Sequence, residues 1–525
     1  MKRPNFLFII TDQQRADHVG AYGNSILRTP NIDSLASSGW LAERFYVASP
    51  ICMPNRASVM TGRMPSVHGV RHNGLPLSTR AVTFVDILHD SGWYTALVGK
   101  AHLQNMLGKP APWLSAKPKP ARDAWRKDGG RYDQEWGPLW RHHLQHEMEM
   151  PFYGFGEVRL VVDHGDQVQG HYRRWLEREH PEVAALTGPK HAIPTPDYVL
   201  AAAGQAWRTR VPEELYSTSW IADQTMQVID AAAAAEQPFF IQCSFPDPHH
   251  PFSVPGRYWD MYRPEDVELP ESFALAAGQP VPSHVAWLHR QRDAGKAIKN
   301  SPMMFACTER EAREAIALNY GSIQHIDDAI GRVLAHLNAK GLERDTVVVF
   351  TSDHGDYLGD HQLLWKGPIH YQSLIRTPFI WHDPAMPKRA TSDALCSTID
   401  IAPTILERAG LEAYHGIQGE SLLPLVSGER ERVRDKVLIE EEGQRIFLGF
   451  DTRVRMRTLQ TDRHRLSVYD GVRWGELYDL LEDPHEMRNL WDEPKLAALR
   501  AELISELTYS MLGYTDTSPM STALA

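Results

Sequence analysis

Four short apolar runs in this chain each end directly in polar side chains. They cover residues 6–10, 95–98, 239–245 and 347–350. Continuous apolar runs of this length are typical of strands buried on both faces, as in a parallel sheet covered by helices. Ligands bind to such sheets at the carboxyl ends of the strands. The pattern therefore predicts an α/β protein whose binding groups meet at one edge of a parallel sheet.

The residues that follow the four runs carry carboxylate, amide, ammonium and imidazole groups. In chain order, these candidate site residues are Asp12, Gln13, Lys100, His102, His249, His250, Asp353 and His354. Between the runs, helical spacing or helix-end signals occur in residues 31–39, 82–92, 219–235 and 309–340. Helices that alternate with buried strands in this way predict an α/β sandwich.

A chain of 525 residues is long enough for a large core and two domains. We predict an α/β domain over residues 1–428 and a smaller subdomain over 429–525, where short strands and a final helix indicate an antiparallel sheet with one helix. Residues 103–211 interrupt the first domain with a stretch rich in Pro, Trp, His and Arg. This length indicates an insertion with short elements of its own, either a wall or lid over the candidate site or a surface and subunit-contact segment.

Composition excludes several classes of function. The formal net charge of −11 argues against a nucleic-acid partner. The chain has 4 cysteines, which are too few and too scattered for a disulfide framework. No run approaches the ~18 apolar residues of a membrane span, and residues 6–10 are too short for the core of a secretory signal. We therefore expect a cytoplasmic protein with no membrane partner.

Asp12 and Asp353 follow two different strands and could meet at one metal ion. Gln13 adds a carbonyl oxygen and His354 an imidazole nitrogen. An oxygen-rich set suits Ca²⁺, Mg²⁺ or Mn²⁺, and the imidazole shifts the preference toward Mn²⁺. The alternative for a lone Asp after a strand is a helix N-cap, but the paired residues at both strand ends favour ligands.

Cys52 lies in the run Cys52-Met53-Pro54-Asn55-Arg56, which reads C-x-P-x-R and is followed by Thr-Gly-Arg at residues 61–63. A lone cysteine is most often a small buried thiol. This run, however, resembles the signature of the type I sulfatases, whose cysteine is oxidised to Cα-formylglycine. A hydrated aldehyde has two hydroxyl groups. One can attack sulfur or phosphorus, and the other can then expel the bound sulfate or phosphate as the aldehyde forms again.

The resemblance extends over most of the chain. The motifs T-D-Q-Q, C-M-P-N-R, G-K-A-H, P-H-H-P, S-D-H-G-D and W-K-G occur in this order. Together they resemble the sulfatase branch of the alkaline phosphatase superfamily. The resemblance implies an alkaline-phosphatase-like sandwich, with a large mixed, mainly parallel sheet between helices and a small C-terminal antiparallel sheet with one helix.

The resemblance also implies a site with one divalent ion, Ca²⁺ or Mn²⁺. Its ligands would be Asp12, Gln13, Asp353, His354 and the modified residue at Cys52. In the family pattern, Arg56 would fix the formylglycine turn and stabilise its oxygen. Lys100 and Lys366 would bind the anionic oxygens of the ester. His102 would steady the diol, and His249 would contact the leaving-group side. Asn73 is either a turn residue or a donor that binds substrate near the nucleophile.

Two features point to different branches of this superfamily. Gln13 and His354 resemble the phosphonate monoester hydrolases, whereas Lys100 and His102 resemble true sulfatases. The first hypothesis is hydrolysis of sulfate monoesters such as aryl sulfates, with promiscuity; the second is a phosphonate monoester hydrolase or phosphodiesterase with the same formylglycine. An inactive scaffold is the third hypothesis, and the intact set of charged residues argues against it.

The expected partners are the small-molecule ester, a formylglycine-generating enzyme and further copies in a homo-oligomer.

Overall fold

A nine-stranded, mainly parallel sheet forms the centre of the protein. A computed structural model describes residues 3–108, 124, 126, 128–274, 281–300, 303–386, 390–446 and 450–524. In this part of the chain the strands are β1 (Asn5–Thr11), β2 (Trp40–Ala42), β3 (Phe45–Tyr46), β4 (Tyr94–Gly99), β5 (Glu157–Val162), β6 (Gln169–Gly170), β7 (Phe239–Ser244), β8 (Phe305–Ala306), β9 (Thr346–Ser352), β10 (Leu363–Leu364), β11 (Phe379–His382), β12 (Ala390–Ser392), β13 (Cys396–Ser397), β14 (Lys436–Ile446), β15 (Arg453–Thr461), β16 (His464–Tyr469) and β17 (Gly475–Asp479).

Helices cover both faces of this sheet. In the described residues they are α1 (Pro30–Ser38), α2 (Cys52–Thr61), α3 (Pro65–His68), α4 (Phe84–Asp90), α5 (Gly137–His142), α6 (His171–Glu179), α7 (Pro181–Ala184), α8 (Val199–Ala202), α9 (Ser217–Ala234), α10 (Ser283–Asp293), α11 (Glu309–Ala339), α12 (Gln372–Ile375), α13 (Ile401–Ala409), α14 (Leu423–Val426) and α15 (Ala497–Gly513). The four predicted helical segments are confirmed as α1, α4, α9 and α11.

The strand order in the large sheet is β12-β2-β11-β9-β1-β7-β4-β5-β6. Strand β1 pairs in parallel with both β9 and β7, and β7 pairs in parallel with β4. The four apolar runs of the sequence are therefore the four adjacent central strands. Strand β11 is antiparallel to β9 and to β2, so the predicted mixed, mainly parallel sheet is confirmed.

The residues of β1 alternate between two apolar cores. Phe6, Phe8 and Ile10 point into the core beneath α2, α4 and α13. Leu7 and Ile9 point into the opposite core, beneath α1, α9 and α11. Full burial contributes roughly 1.5–3 kcal/mol for each such large side chain. A strand that is apolar on both faces can only be stable between two helical layers, which is the architecture observed.

The described part of residues 103–211 contributes two strands to the large sheet. Their strand β5 pairs in parallel with β4 and carries β6 at the sheet edge. Arg159 interrupts the apolar run of β5, and its guanidinium bonds outward to Glu157 and Gln224. Because this charge and the polar flanks interrupt the apolar pattern, the sequence did not predict the strand. Residues 109–123, 125 and 127 of the predicted insertion lie outside the described residues.

The C-terminal region contains the predicted small antiparallel sheet, in the order β14-β15-β16-β17. Helix α15 packs Leu503 and Leu507 against the apolar face of this sheet. The sheet also holds the loop at residues 366–371. His370 Nε2 lies 3.0 Å from Glu441 Oε2, and His370 Nδ1 lies 2.8 Å from Thr458 Oγ1. Beneath the loop, the Tyr357 hydroxyl lies 2.8 Å from the carbonyl oxygens at positions 367 and 369.

None of the helices in the described residues combines the length and the apolar character that crossing a membrane requires.

A buried ion network joins the strands of the C-terminal sheet. Arg465 is 0% exposed and donates to Glu486, to Glu476 Oε2 at 3.0 Å and to Ser467 Oγ at 2.8 Å. Burial raises the pKa of Glu486 to about 7, although the charge of Arg465 opposes this shift. One guanidinium thus compensates two buried carboxyl groups.

Replacing Arg465 should destabilise the fold. Arg465→Met leaves two buried carboxyl groups without their cation, and breaking a buried pair in this way costs about 3–5 kcal/mol. We expect a large downward shift of the urea unfolding midpoint, followed by fluorescence or circular dichroism. Arg344→Met is the matched control because the Arg344 side chain is 91% exposed. Equal midpoints for the two variants would contradict the structural role given to Arg465.

Candidate active site

Two buried carboxylates stand at the ends of neighbouring parallel strands. Asp12 follows β1 and Asp353 follows β9, and both side chains are 0% exposed. Arg56 bridges them, with Nε 2.7 Å from Asp353 Oδ2 and Nη2 3.4 Å from Asp12 Oδ2. Its remaining described bonds go to the Lys100 carbonyl and to Ser244 Oγ. Arg56 therefore contacts the predicted metal-binding carboxylates.

The C-x-P-x-R spacing has a helical explanation. Cys52 is the first residue of α2, and Arg56 lies one turn further on the same face. Pro54 fits in the first turn, where its missing N–H leaves no helical bond unmade. The Asn73 side-chain oxygen accepts the free N–H of Met53 at 3.1 Å. Asn73 thus caps the helix that carries Cys52, at the position next to the candidate nucleophile.

His354 presents one nitrogen to the site. Its Nδ1 lies 2.8 Å from the Gly355 carbonyl oxygen, which can only accept, so Nδ1 carries the proton. Its Nε2 then has a free lone pair, 3.1 Å from Cys52 Sγ and 3.6 Å from Asp353 Oδ1. A metal-binding imidazole requires this tautomer, with the outer nitrogen bonded to a backbone acceptor.

Gln13 has its amide oxygen directed into the same cluster. Its φ angle of 65° is in the left-handed region, which is uncommon for residues other than glycine. The backbone N–H donates to Asp353 Oδ1 at 3.1 Å. The side-chain amide nitrogen donates to Asp356 and lies 3.1 Å from His250 Nδ1. These bonds leave Oε1 as the inward-facing atom.

The Lys366 ammonium lies among these donors. Its Nζ is 2.9 Å from Gln13 Oε1, 2.9 Å from Cys52 Sγ, 3.0 Å from His249 Nε2 and 3.0 Å from His354 Nε2. An ammonium group occupies a position of negative potential in which several lone pairs converge. Three of these atoms, on Gln13, Cys52 and His354, belong to the predicted metal ligands.

The donor atoms fit a metal ion in number and chemistry. The ligand atoms of four fully buried residues, Asp12, Cys52, Asp353 and His354, lie within 4.8 Å of one another. Two carboxylates, one imidazole lone pair and the nearby Gln13 oxygen form an oxygen-rich set, as expected for Ca²⁺ or Mn²⁺. The residues present are therefore compatible with one divalent cation.

Lys100 is a second cation, on the opposite side of Asp12. Its side chain is 0% exposed, its Nζ contacts Asp12 Oδ2, and it lies 2.6 Å from His164 Nε2. The preceding Gly99 has φ 106°, and an added Cβ would lie 1.8 Å from the Ser244 carbonyl oxygen. Only glycine permits this close approach of β4 to β7, which brings Lys100 to the cluster.

His249 lies between the two cations. Its Nδ1 donates to the His250 carbonyl oxygen, so Nε2 faces the site with a free lone pair. Its ring stacks on that of His164 with centroids 3.7 Å apart, and on that of His250 at 4.4 Å. The motif P-H-H-P thus contributes two side chains, because His250 also contacts Gln13.

His102 stands at the same edge with a left-handed backbone, φ 56°. Its N–H donates to Glu135 Oε2 at 2.6 Å, and Glu135 also accepts the N–H groups of Leu103 and Gln104. Burial raises the pKa of Glu135 to about 7 against these three bonds. His102 Nδ1 is buried and has no hydrogen-bond partner among the described residues, so it can serve a bound group.

The pKa values of the Asp12 carboxyl and the Cys52 thiol shift in opposite directions. Burial opposes the charge of Asp12, but the Lys100 ammonium holds its pKa well below the ordinary value. Burial and the negative charge of Asp12 raise the pKa of the Cys52 thiol, whereas Lys366 lowers it. These protein groups alone therefore keep Asp12 ionised and disfavour a free Cys52 thiolate.

The residues selected from the sequence meet at this edge of the sheet. Contacts join Asp12, Gln13, Cys52, Arg56, Lys100, His249, His250, Asp353, His354 and Lys366. Asn73 contacts the start of α2, and His102 follows β4. Sequence reasoning missed the site contact of His164, which follows β5 and touches Lys100 and His249. The signal was present: the apolar end of β5 precedes Asp163-His164, as in the four other strands.

The chain is similar to known proteins over nearly its whole length. The profile of the sulfatase family matches residues 4–411, and the C-terminal profile of N-sulphoglucosamine sulphohydrolase matches residues 359–511. The chain is 27% identical to an arylsulfatase of Clostridium perfringens, over 98% of this chain and 96% of the relative. It is 28% identical to the multifunctional alkaline phosphatase superfamily protein PehA of Trinickia caryophylli, again over 98% and 96%.

A solved structure has the same fold as this chain. The phosphonate monoester hydrolase of Agrobacterium radiobacter superposes with a TM-score of 0.75 and 25% sequence identity, over 98% of this chain and 97% of that chain. The fold expected from the resemblance is confirmed. The match over residues 4–411 covers most of the chain, which therefore belongs to the sulfatase family, the sulfuric ester hydrolases of the alkaline phosphatase superfamily.

Proposed function

We propose that this chain hydrolyses sulfate monoesters, with aryl sulfates as the preferred class, through Cys52 after its oxidation to Cα-formylglycine. The observation that carries the proposal is the position of Cys52. Its sulfur is buried 3.1 Å from His354 Nε2 and 2.9 Å from Lys366 Nζ, one helical turn before Arg56. The family match and the arylsulfatase relative support this choice of ester.

Two groups would complete the site. A formylglycine supplies a hydrated aldehyde, which provides both an attacking hydroxyl and a route for release of the bound ester group. A divalent ion, Ca²⁺ or Mn²⁺, would be held by Asp12, Gln13, Asp353 and His354 with residue 52, and supplies Lewis-acid stabilisation of oxygen charge. The inward oxygen of Gln13 and the free Nε2 of His354 support this ligand set.

The remaining side chains serve the ester. Lys100 and Lys366 would bind its anionic oxygens, because developing negative charge needs preorganised donors. His249 would contact the leaving-group side through Nε2, because its Nδ1 is bonded to the His250 carbonyl oxygen. His102 would donate to residue 52. Arg56 keeps the two carboxylates in place, and Asn73 holds the start of α2.

A second candidate keeps the same machinery for phosphonate monoesters or phosphodiesters. Gln13 in place of a second carboxylate makes the metal site more cationic, which suits any singly charged ester. The similarity to a phosphonate monoester hydrolase at a TM-score of 0.75, and to a multifunctional relative, favours this alternative. Charge alone rejects none of these esters strongly, so geometry must decide between them.

Three further expectations belong to the same proposal. A formylglycine-generating enzyme would oxidise Cys52 during maturation. The protein would act in the cytoplasm on small-molecule esters, and it would form a homo-oligomer. Size-exclusion chromatography with light scattering tests the last of these directly.

Mass analysis should detect the modification. The peptide that contains Cys52 should be about 18 Da lighter than the unmodified peptide, or near its original mass when the aldehyde is hydrated. Cys52→Ala should reduce turnover at least ~10³-fold, because it removes the precursor of the nucleophile. Cys396→Ala is the matched control, since Cys396 is equally buried but bonds to the Ala394 carbonyl. Active enzyme with only an unmodified thiol at position 52 would contradict the mechanism.

Metal removal should abolish activity. After chelation, Ca²⁺ or Mn²⁺ should restore turnover, and elemental analysis should find one ion per chain. Asp353→Asn should lower this occupancy because it removes one ligand charge. Asp435→Asn is the control, since the Asp435 side chain is 77% exposed. Two ions at full occupancy about 4 Å apart would support a binuclear phosphatase instead.

Substrate choice is tested with one leaving group on three esters. We expect kcat/KM to be highest for the aryl sulfate, followed by the phosphonate monoester and the phosphodiester. Lys100→Ala should lower kcat/KM for the sulfate by roughly 10²-fold or more, because it removes a charged donor from the transition state. Lys340→Ala, 43% exposed, is the control. A phosphonate monoester that outperforms the sulfate in the wild type would favour the second candidate.

A further inference from the structure

The run Asp163-His164-Gly165-Asp166 lies within residues 103–211, for which the sequence left open a wall or lid over the site or a surface and subunit-contact segment. It follows β5, which pairs in parallel with β4 so that Leu160 lies opposite Gly99. Lys100 follows β4 at the same edge. Two adjacent parallel strands therefore deliver Lys100 and His164 to the same place, in the way that β1 and β9 deliver the two carboxylates.

His164 touches two of the residues assigned to the ester. Its Nε2 lies 2.6 Å from Lys100 Nζ, and its ring stacks on that of His249 at 3.7 Å with an interplanar angle of 17°. The same Nε2 is 3.8 Å from Asp12 Oδ2. The His164 side chain keeps 13% of its surface exposed, whereas Lys100 is fully buried behind it.

The neighbouring carboxylate sets the direction of these bonds. His164 Nδ1 lies 3.2 Å from Asp163 Oδ1, and an ionised carboxylate can only accept, so Nδ1 donates. Nε2 is then an acceptor for the Lys100 ammonium. An ammonium group has three N–H donors. Among the described residues, Asp12 and His164 take two of them, so the third can donate to a ligand.

The backbone of this motif is held in an unusual conformation. Asp163 has φ 78°, in the left-handed region that non-glycine residues adopt mainly where the surrounding structure imposes it. The loop is anchored behind the site by Asp166, whose carboxylate accepts Thr209 Oγ1 at 2.6 Å and the Gly188 N–H at 3.0 Å. Gln13 and His102, both at the site, also have positive φ angles.

We propose that Asp163 and His164 form a positioning pair, through which the loop after β5 aims the Lys100 ammonium and orients the His249 ring for an anionic ester group. The proposal rests on the proposed function, because it assigns this pair to the same site. It makes the loop after β5 a working part of the ester-binding wall. The pair acts through Lys100 and His249, so both His164 and Asp163 are positioning residues.

The test compares variants of the metal-loaded, modified enzyme for binding of inorganic sulfate by calorimetry and for hydrolysis of an aryl sulfate. His164→Ala should weaken sulfate binding about tenfold or more and raise KM more than it lowers kcat, because one constraint on the ammonium is lost. His164→Gln should recover part of the affinity, since its amide oxygen can accept from Lys100. Asp163→Asn should fall between wild type and His164→Ala.

His171→Gln is the matched control for a merely structural histidine in the same segment, because His171 Nδ1 accepts the backbone N–H of Leu160 at 2.9 Å. It should leave sulfate affinity unchanged even if the melting temperature falls. Equal losses of affinity in the two variants would overturn the positioning role. So would wild-type affinity in His164→Ala, with equal metal content.

The outcomes also separate this proposal from the proposed function. If the wild type binds sulfate in a His164-dependent way but hydrolyses no sulfate ester, the positioning pair stands and the assigned activity fails. If sulfate esters are hydrolysed equally well by His164→Ala, the activity stands and the pair fails. A wild type that neither binds sulfate nor hydrolyses its esters overturns both.

Discussion

The bridge of Arg56 between the carboxylates of Asp12 and Asp353 is the interaction on which the rest of the site depends. Two buried negative charges at the ends of adjacent strands would repel each other, and isolating them from water costs several kcal/mol without a partner. The Arg56 guanidinium contacts both, and Lys100 adds a second cation beside Asp12. Because Cys52 is one helical turn from Arg56, docking the guanidinium also brings the cysteine to the cluster. The spacing of the motif is therefore a packing requirement as well as a chemical one.

The local charge of the site is opposite to that of the whole chain. Lys100, Lys366 and Arg56 give three positive charges against the two carboxylates of Asp12 and Asp353, whereas the protein carries a formal net charge of −11. Burial strengthens these local charges because water cannot screen them. The proposed divalent ion would add to this positive charge, which suits an anionic ester group. A carboxylate in place of Gln13 would lower the local charge by one.

Much of this arrangement could be predicted from the sequence. The central strands are apolar on both faces, so their runs are continuous, and the polar residues after them had to meet at one sheet edge. Strand β5 escaped prediction because Arg159 breaks its apolar run, and with it the approach of His164 to Lys100 was lost. The contact of Asn73 with the start of α2 joins residues 20 positions apart, and only the folded chain shows it. The roles of these residues in turnover stay predictions.

The loop that carries Lys366 is held by both parts of the protein. His370 is bonded to Glu441 and Thr458 of the C-terminal sheet, while Tyr357 holds the loop from the other side. The two family profiles overlap over this same stretch of chain, since one ends at residue 411 and the other begins at residue 359. The C-terminal sheet therefore contributes contacts that hold this loop. A chimaera built by swapping it at residue 428 would keep the lysine but replace the strands that aim it.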